Sequence, residues 1–187
     1  MDQIRNILSS RERKVIDNPS FARAAVLVPL YKKGGDCHLL FTKRTDKVKY
    51  HKGEISFPGG VFDEADSELE KTALREAFEE VGLKEKDVQI IGALDDIVTI
   101  TGFIIAPFVG LFPYPYPFEV SEIEIAELIE VPLFFFLRGD CYSEQVIFRI
   151  DREEMVDVFQ YENHIIWGAT ARILKQFLDL ISSTRIT

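Results

Sequence analysis

At 187 residues, 47% of them hydrophobic, the chain can bury one proper core and suits a single domain over 1–187. A net charge of −9 argues against a general DNA- or RNA-binding protein, because counterion release needs clustered Lys and Arg. Two distant cysteines, Cys37 and Cys141, suggest no disulfide framework, and no apolar run reaches the roughly 20 residues of a membrane span.

Taken in chain order, Asp2 to about Asp17 carries Ile4, Ile7, Leu8 and Val15 at near-helical spacing, which predicts an N-terminal helix over about 2–17, ended by Asn18-Pro19-Ser20. Arg23–Tyr31 reads as a Val- and Leu-rich strand. Lys33-Gly34-Gly35-Asp36 is a hairpin turn, and Cys37–Thr42 returns as the second strand. A basic stretch follows: Lys43, Arg44, Lys47, Lys49, His51 and Lys52. Arg44 is its best candidate for a polyphosphate, since a guanidinium pairs with phosphate bidentately. Glu54–Phe57 is a short strand that runs into Phe57-Pro58-Gly59-Gly60, where two glycines allow a sharp turn and close approach of the backbone to a ligand.

The next helix has two faces. Ser67 and Glu70 are spaced as a capping box at its start, and Gly82 is a natural stop. Glu76, Glu79 and Glu80 stand at i, i+3, i+4 and share one arc of about 100°. Like charges at that spacing repel, so the arrangement is unfavourable unless a cation reverses the sign, and hard carboxylate oxygens suit Mg²⁺ or Mn²⁺. Leu74, Ala77, Phe78 and Val81 form the opposite face and are expected to pack on a sheet.

Val88–Leu94 and Ile104–Phe112 are predicted strands. Pro113, Pro115 and Pro117, interleaved with Tyr114, Tyr116 and Phe118, read as a rigid extended loop or as an aromatic wall for an adenine ring or a dimer contact. Glu124–Val131 is a strand, Pro132–Leu137 a short helix, and Tyr142–Ile150 with Met155–Tyr161 a hairpin. His164–Ile181 is the closing helix, its stripe made by Ile165, Ile166, Ala169, Ile173, Leu174, Phe177 and Leu180. The sum is an α/β chain, a sheet with helices on both sides.

Residues 60–83 resemble the Nudix box, whose pattern is G-x5-E-x7-R-E-U-x-E-E-x-G-U with U aliphatic. The second half, Arg75-Glu76-Ala77-Phe78-Glu79-Glu80-Val81-Gly82-Leu83, matches closely; the first half departs. The isolated glutamate of the box falls on Ser67 and the first glycine one residue early, at Gly60, so the loop is one residue longer and Glu68 is the expected substitute acid. Coenzyme A pyrophosphatases of the Nudix family are similar in having that longer loop and a motif before the box, roughly L-L-T-x-R-S then L-R-x-H-x-G-x-[IV]-[AS]-F-P-G-G. Here Leu40-Phe41-Thr42-Lys43-Arg44-Thr45 and Val48 to Gly60 follow it, with Arg44, His51, Gly53 and F-P-G-G in place and Lys49 and Thr45 as replacements. Asp63 and Asp66 also match.

The resemblance implies a Nudix-type α/β/α sandwich with a mixed sheet. It also implies hydrolysis of the pyrophosphate of coenzyme A or its acyl forms, giving 3′-phosphoadenosine 5′-phosphate and 4′-phosphopantetheine or its acyl form. Glu76, Glu79, Glu80 and the Gly60 carbonyl are the implied ligands of Mg²⁺ or Mn²⁺. Arg75 orients a glutamate, and Glu79 or Glu80 is the implied base, with Glu119 and Glu122 as supplementary acids. Arg44, His51 and Gly59 are the implied substrate contacts. The partner is a small-molecule nucleotide, with no nucleic acid and no membrane, and the resemblance admits a homodimer. Other Nudix specificities, such as ADP-ribose or a dinucleotide, and a non-catalytic nucleotide sensor are the alternatives. Met1–Arg5 lacks the plan of a signal peptide and Arg185-Ile186-Thr187 is no peroxisomal tripeptide, so a cytoplasmic location is expected.

Overall fold

The computed structural model describes residues 1–148 and 153–183. In chain order it has α1 (Asp2–Ser9), β1 (Ala22–Lys33), β2 (Asp36–Arg44), β3 (Ile55–Ser56), β4 (Gly59–Val61) and α2 (Leu69–Val81). A single 3₁₀ turn, Glu85–Asp87, leads to β5 (Gln89–Ala93), β6 (Ile97–Val98), β7 (Phe103–Leu111), β8 (Ile125–Pro132) and α3 (Leu133–Leu137). The described chain closes with β9 (Tyr142–Phe148), β10 (Glu153–Tyr161), β11 (His164–Trp167) and α4 (Gly168–Ser182).

β1 is the axis of a mixed sheet in the order β3-β2-β1-β7-β5, with β4, β6 and β8 added on β1, β7 and β2. It runs antiparallel to β2 and β4 and parallel to β7 along its length, from Ala22↔Phe103 to Leu30↔Leu111. A strand buried on both faces reads as a continuous apolar run, which is what Ala24–Tyr31 is. Successive side chains alternate between two cores. Ala25 and Leu27 pack with Ala73, Ala77 and Val81 of α2 on one side. Val28 and Leu30 join Leu8 of α1, Phe136 of α3 and Leu174 and Phe177 of α4 on the other. Ala73 and Ala77 are fully buried, so small side chains bring the α2 axis close to the sheet. The result is the expected α/β/α arrangement, with β9, β10 and β11 as a separate three-stranded sheet.

Four local expectations change. The first helix stops at Ser9 because Arg11–Ile16 is held irregular by residues some 80 positions away. Arg11 pairs with Asp95, Arg13 and Arg23 with the buried Asp96, and the Lys14 and Ile16 amides donate to those same carboxylates. Ser67 caps nothing: α2 begins after Glu68, whose side chain makes no capping bond, and Lys71 and Thr72 donate to the Glu68 carbonyl. Phe78 is half exposed and does not belong to the packed face of α2. His164–Trp167 is a strand paired with β10, so the closing helix begins only at Gly168, and Ile165 faces outward. β6, only two residues long, is a strand through its pairing with β7 and has no pattern of its own in the sequence. The predicted Tyr142–Ile150 strand ends, within the described residues, at Phe148; Arg149 and Ile150 lie outside them. Among the described residues no helix is long and apolar enough to cross a membrane.

Candidate active site

The site lies where α2 passes over β4. Gly59 and Gly60 were expected to form a sharp turn, but both lie in a strand with ordinary backbone angles. Their smallness is needed for contact. A Cβ on Gly59 would meet Val26 Cα at 2.7 Å, and one on Gly60 would meet the Glu76 carboxylate, with Oε2 at 2.6 Å. The Glu76 side chain therefore rests directly on the bare Cα of Gly60.

The alternation of the β1–β4 ladder decides where the glycine polar groups point. Leu27 donates to the Pro58 carbonyl at 2.8 Å and Phe62 to the Arg23 carbonyl at 2.9 Å, which brackets Ala25↔Gly60 as a hydrogen-bonded pair. The Gly60 carbonyl thus faces Ala25 in the ladder. The Gly59 amide and carbonyl point off it, and the Gly59 amide acts on the Glu80 carboxylate. Of the two, the Gly59 carbonyl is the one left off the β1–β4 ladder.

Glu80 is not the solvent-facing group its helical position suggested. It is fully buried, and burial pushes its carboxyl up to about 8, against the opposing pull of Arg44. Arg44 Nη1 donates to Glu80 Oε1 at 3.1 Å and Nη2 to Glu124 Oε2 at 3.4 Å. Glu80 Oε2 is buried without a hydrogen-bond partner. Glu76, mostly buried, is also held above the ordinary carboxylate range by burial, although Arg75 pulls the other way. Glu79 is half exposed. Among the described residues no three acidic, His or Cys side chains stand at ligand distance around one point, and a guanidinium stands between Glu80 and Glu124.

Arg75 is the organiser. Its Nη1 donates to Glu76 Oε1 at 2.8 Å and Glu79 Oε2 at 3.3 Å, and Nη2 reaches the Val61 carbonyl at 3.2 Å. Nε is anchored on Asp66 at 3.1 Å. Asp66 in turn accepts from the fully buried Thr72 hydroxyl at 2.8 Å and from the Asp63 amide. The Arg75 guanidinium, with these donors, holds the Asp66 carboxyl below its usual range. Asp66, not Glu68, is therefore the loop acid that meets Arg75; Glu68 is exposed at the helix start.

The other named residues are more dispersed. His51 sits on the exposed loop between β2 and β3 and pairs with Glu54 at 2.8 Å. His38 stacks on Tyr31, and His164 is paired with Glu127. Tyr116 and Phe118 pack with Phe112 in the core beneath α2, and the Tyr116 hydroxyl donates to Asp87. Glu119 lies against Gly82 at the end of α2, and Glu122 is exposed. Glu124, which shares Arg44 with Glu80, carries no mark in its local sequence.

An arginine-braced acidic helix face over a glycine strand, in an α/β/α sandwich, is the construction of a Nudix hydrolase. The chain belongs to that family: the NUDIX domain matches residues 21–163. It is 38% identical over 154 residues to an uncharacterized Nudix hydrolase NudL of Cronobacter sakazakii, covering 82% of this chain and 80% of that one. NudL of Citrobacter koseri is 37% identical with the same coverage. Among solved structures, a MutT protein from Methanosarcina mazei Go1 superposes with a TM-score of 0.55 at 16% identity, covering 95% of this chain and 99% of that one. A C. elegans Ap4A hydrolase complex gives 0.52 at 18% identity over 63% and 84% of the two chains. At those identities the likeness is one of fold.

Proposed function

We propose that this hydrolase cleaves the pyrophosphate linkage of coenzyme A or an acyl-coenzyme A in the presence of Mg²⁺ or Mn²⁺. The products are 3′-phosphoadenosine 5′-phosphate and 4′-phosphopantetheine, or its acyl form. One observation carries the reading. Arg44, from the Leu40–Thr45 motif that precedes the box, reaches Glu80 of the box helix. The sequence feature that resembles coenzyme A pyrophosphatases therefore borders the acidic site itself.

The residues fit a hard divalent cation. The donors are all oxygen, and Glu80 Oε2 is buried with no other partner. Glu76, Glu79, Glu80 and the Gly59 carbonyl would hold the ion, which when bound offsets diphosphate charge and lowers the pKa of a bound water. Burial has a direct consequence for Glu80. A carboxyl held up to about 8 binds a proton near neutrality and gives it up when positive charge arrives. Arg75 fixes the rotamers of Glu76 and Glu79, so their oxygens are placed before substrate enters. Arg44 is free to turn its two-pronged donor from carboxylates to a phosphate once another cation neutralises Glu80. Either Glu79 or Glu80 can take the proton of the attacking water; Glu79, being exposed, has the easier route to bulk solvent.

Product analysis tests the assignment. The protein is incubated with Mn²⁺ or Mg²⁺ and coenzyme A, acetyl-coenzyme A, NADH or ADP-ribose, and the fragments are identified by mass. The reading expects 3′-phosphoadenosine 5′-phosphate from the first two at higher kcat/KM than any cleavage of the others. Preference for ADP-ribose or NADH overturns it, and metal-dependent nucleotide binding without turnover favours a sensor.

A further inference from the structure

We propose that the groove between β11 and the β3 end of the main sheet binds a phosphorylated planar ring, an adenine nucleotide in chemical type, at a site separate from the box. The groove encloses about 460 Å³, within the roughly 300–1,000 Å³ of small-molecule sites. Its two walls differ in chemistry. One is β11, where strand alternation sends Ile166 into the core and leaves Ile165 56% and Trp167 37% exposed on the same outer face. A lone apolar side chain at a surface is ordinary, but here an Ile and a Trp adjoin in a concave place. The indole is also held in position. Trp167 pairs with Val158 of β10 and α4 starts at the next residue, so little freedom remains to be lost when a ring stacks on it.

The other wall is basic. Lys43 and Lys52 line it together with Ile55. The acids nearby are engaged elsewhere: Glu54 pairs with His51 at 2.8 Å and Glu127 with His164 at 3.2 Å. Lys43 stands 3.9 Å from Glu127, and Lys52 has no ion pair among the described residues. Two cations beside an exposed aromatic face suit a phosphate joined to a flat ring, in a chain whose net charge is otherwise −9. His164 also lines the groove; its side chain is 9% exposed and its Nδ1 is buried without a hydrogen-bond partner. A polar ligand atom would complete that bonding. The groove is on the other face of β2 from the acidic site. Lys43 points to the side of Phe41 and Glu127, whereas Arg44 turns to Glu80 of α2. The two faces are tied by backbone alone: the Arg44 amide donates to the Glu54 carbonyl at 2.9 Å, and the Gly53 amide donates to the Arg44 carbonyl at 3.2 Å. The far end of a long nucleotide substrate and a free mononucleotide both offer the required chemistry.

Trp167 is the only tryptophan of the chain, so its fluorescence reports on the groove. The full chain, freed of metal with EDTA, is titrated with adenosine 3′,5′-bisphosphate. Saturable quenching is expected, with an affinity within twofold of wild type in Glu80→Gln and weaker by about tenfold in the double variant Lys43→Gln, Lys52→Gln. Trp167→Leu keeps apolar bulk but removes the ring plane, and calorimetry should show a loss of about tenfold there too. Ribose 5-phosphate, which lacks the base, should leave the fluorescence unchanged. Absent or unsaturable quenching overturns the proposal. So does quenching that requires Mn²⁺ and disappears in Glu80→Gln, or quenching indifferent to both lysines. Intact quenching without any cleavage of coenzyme A would sink the proposed reaction and spare the groove. Where hydrolysis is followed, competitive inhibition by the bisphosphate that the lysine changes relieve identifies the far end of the substrate, and any other pattern identifies a free nucleotide.

Discussion

Gly59 and Gly60 are adjacent, both in an ordinary strand conformation, and both crowded, yet alanine at the two positions should fail in different ways. A methyl at Gly60 meets the Glu76 carboxylate first, at 2.6 Å or less, and its three nearest atoms all belong to that side-chain end. To regain an ordinary contact of 3.4 Å the carboxylate must retreat by roughly 0.8 Å. A side-chain end can do so, and the lost Arg75–Glu76 pair is offset by the lower chain entropy of alanine in the unfolded state, about 0.4–1 kcal/mol. The net stability change is within about 1 kcal/mol, or about 2–4 °C in Tm for a domain of this size. A metal ligand tolerates only about 0.2 Å, so the same movement should weaken Mn²⁺ binding on the order of tenfold or more. A methyl at Gly59 meets Val26 Cα at 2.7 Å, and the Ala25 carbonyl oxygen closer still. Backbone cannot step aside within a paired ladder, so overpacking of about 3 kcal/mol and a Tm lower by about 6–12 °C are expected. Calorimetry and Mn²⁺ titration on the two variants provide both readouts. A large Tm loss in Gly60→Ala with unchanged Mn²⁺ affinity would refute the placement of Glu76 on that glycine.

Further expectations concern the charges around the box. Asp66 has a folded pKa below its unfolded value of about 3.9, so its stabilisation is present above that pH and lost as pH falls through the folded value. Asp66→Asn should therefore lower Tm at pH 7 and lose that difference as pH falls through the folded value, and unchanged Tm at pH 7 would contradict the brace. Glu80 shifts the other way: a carboxyl raised to about 8 is a liability as pH climbs from its unfolded value toward 8. Metal-free Glu80→Gln should match or exceed wild type in Tm at pH 8.5, with the gap narrowing toward pH 5, whereas Mn²⁺ should stabilise wild type alone. Asp96→Ala leaves Arg13 and Arg23 without their buried partner and frees the Ile16 amide. A loss of about 3 kcal/mol, read by urea denaturation, is expected, and a change below about 0.5 kcal/mol would contradict the anchoring of residues 11–16.

The sequence made the box helix legible because its signals are local. Charge spacing, apolar spacing and Gly82 all fall within four turns, and Gly82 does close α2 in the left-handed conformation, its amide on the Phe78 carbonyl and the Leu83 amide on the Ala77 carbonyl. The core strands β1, β2 and β7 were legible for the same reason, as apolar runs between turn residues. What stayed hidden depends on distant partners. Residues 11–16 have helical spacing, but Asp95 and Asp96 draw their amides and arginines into another path. The boundary between β11 and α4 vanished because both elements are apolar and directly joined, and pairing with β10 decides the strand. Within the site, Asp66 could have been preferred to Glu68 by asking which acid could reach Arg75. Glu124 could not be found this way, since it is 44 residues from Glu80 and meets it only through Arg44.

The most direct examination is a crystal of the protein soaked in Mn²⁺, with anomalous scattering recorded near the manganese edge. A peak within about 2.5 Å of carboxylate oxygens from Glu76 and Glu80 and of the Gly59 carbonyl is expected. Manganese sites elsewhere, with Glu80 still capped by Arg44 and its second oxygen bare, would contradict the account.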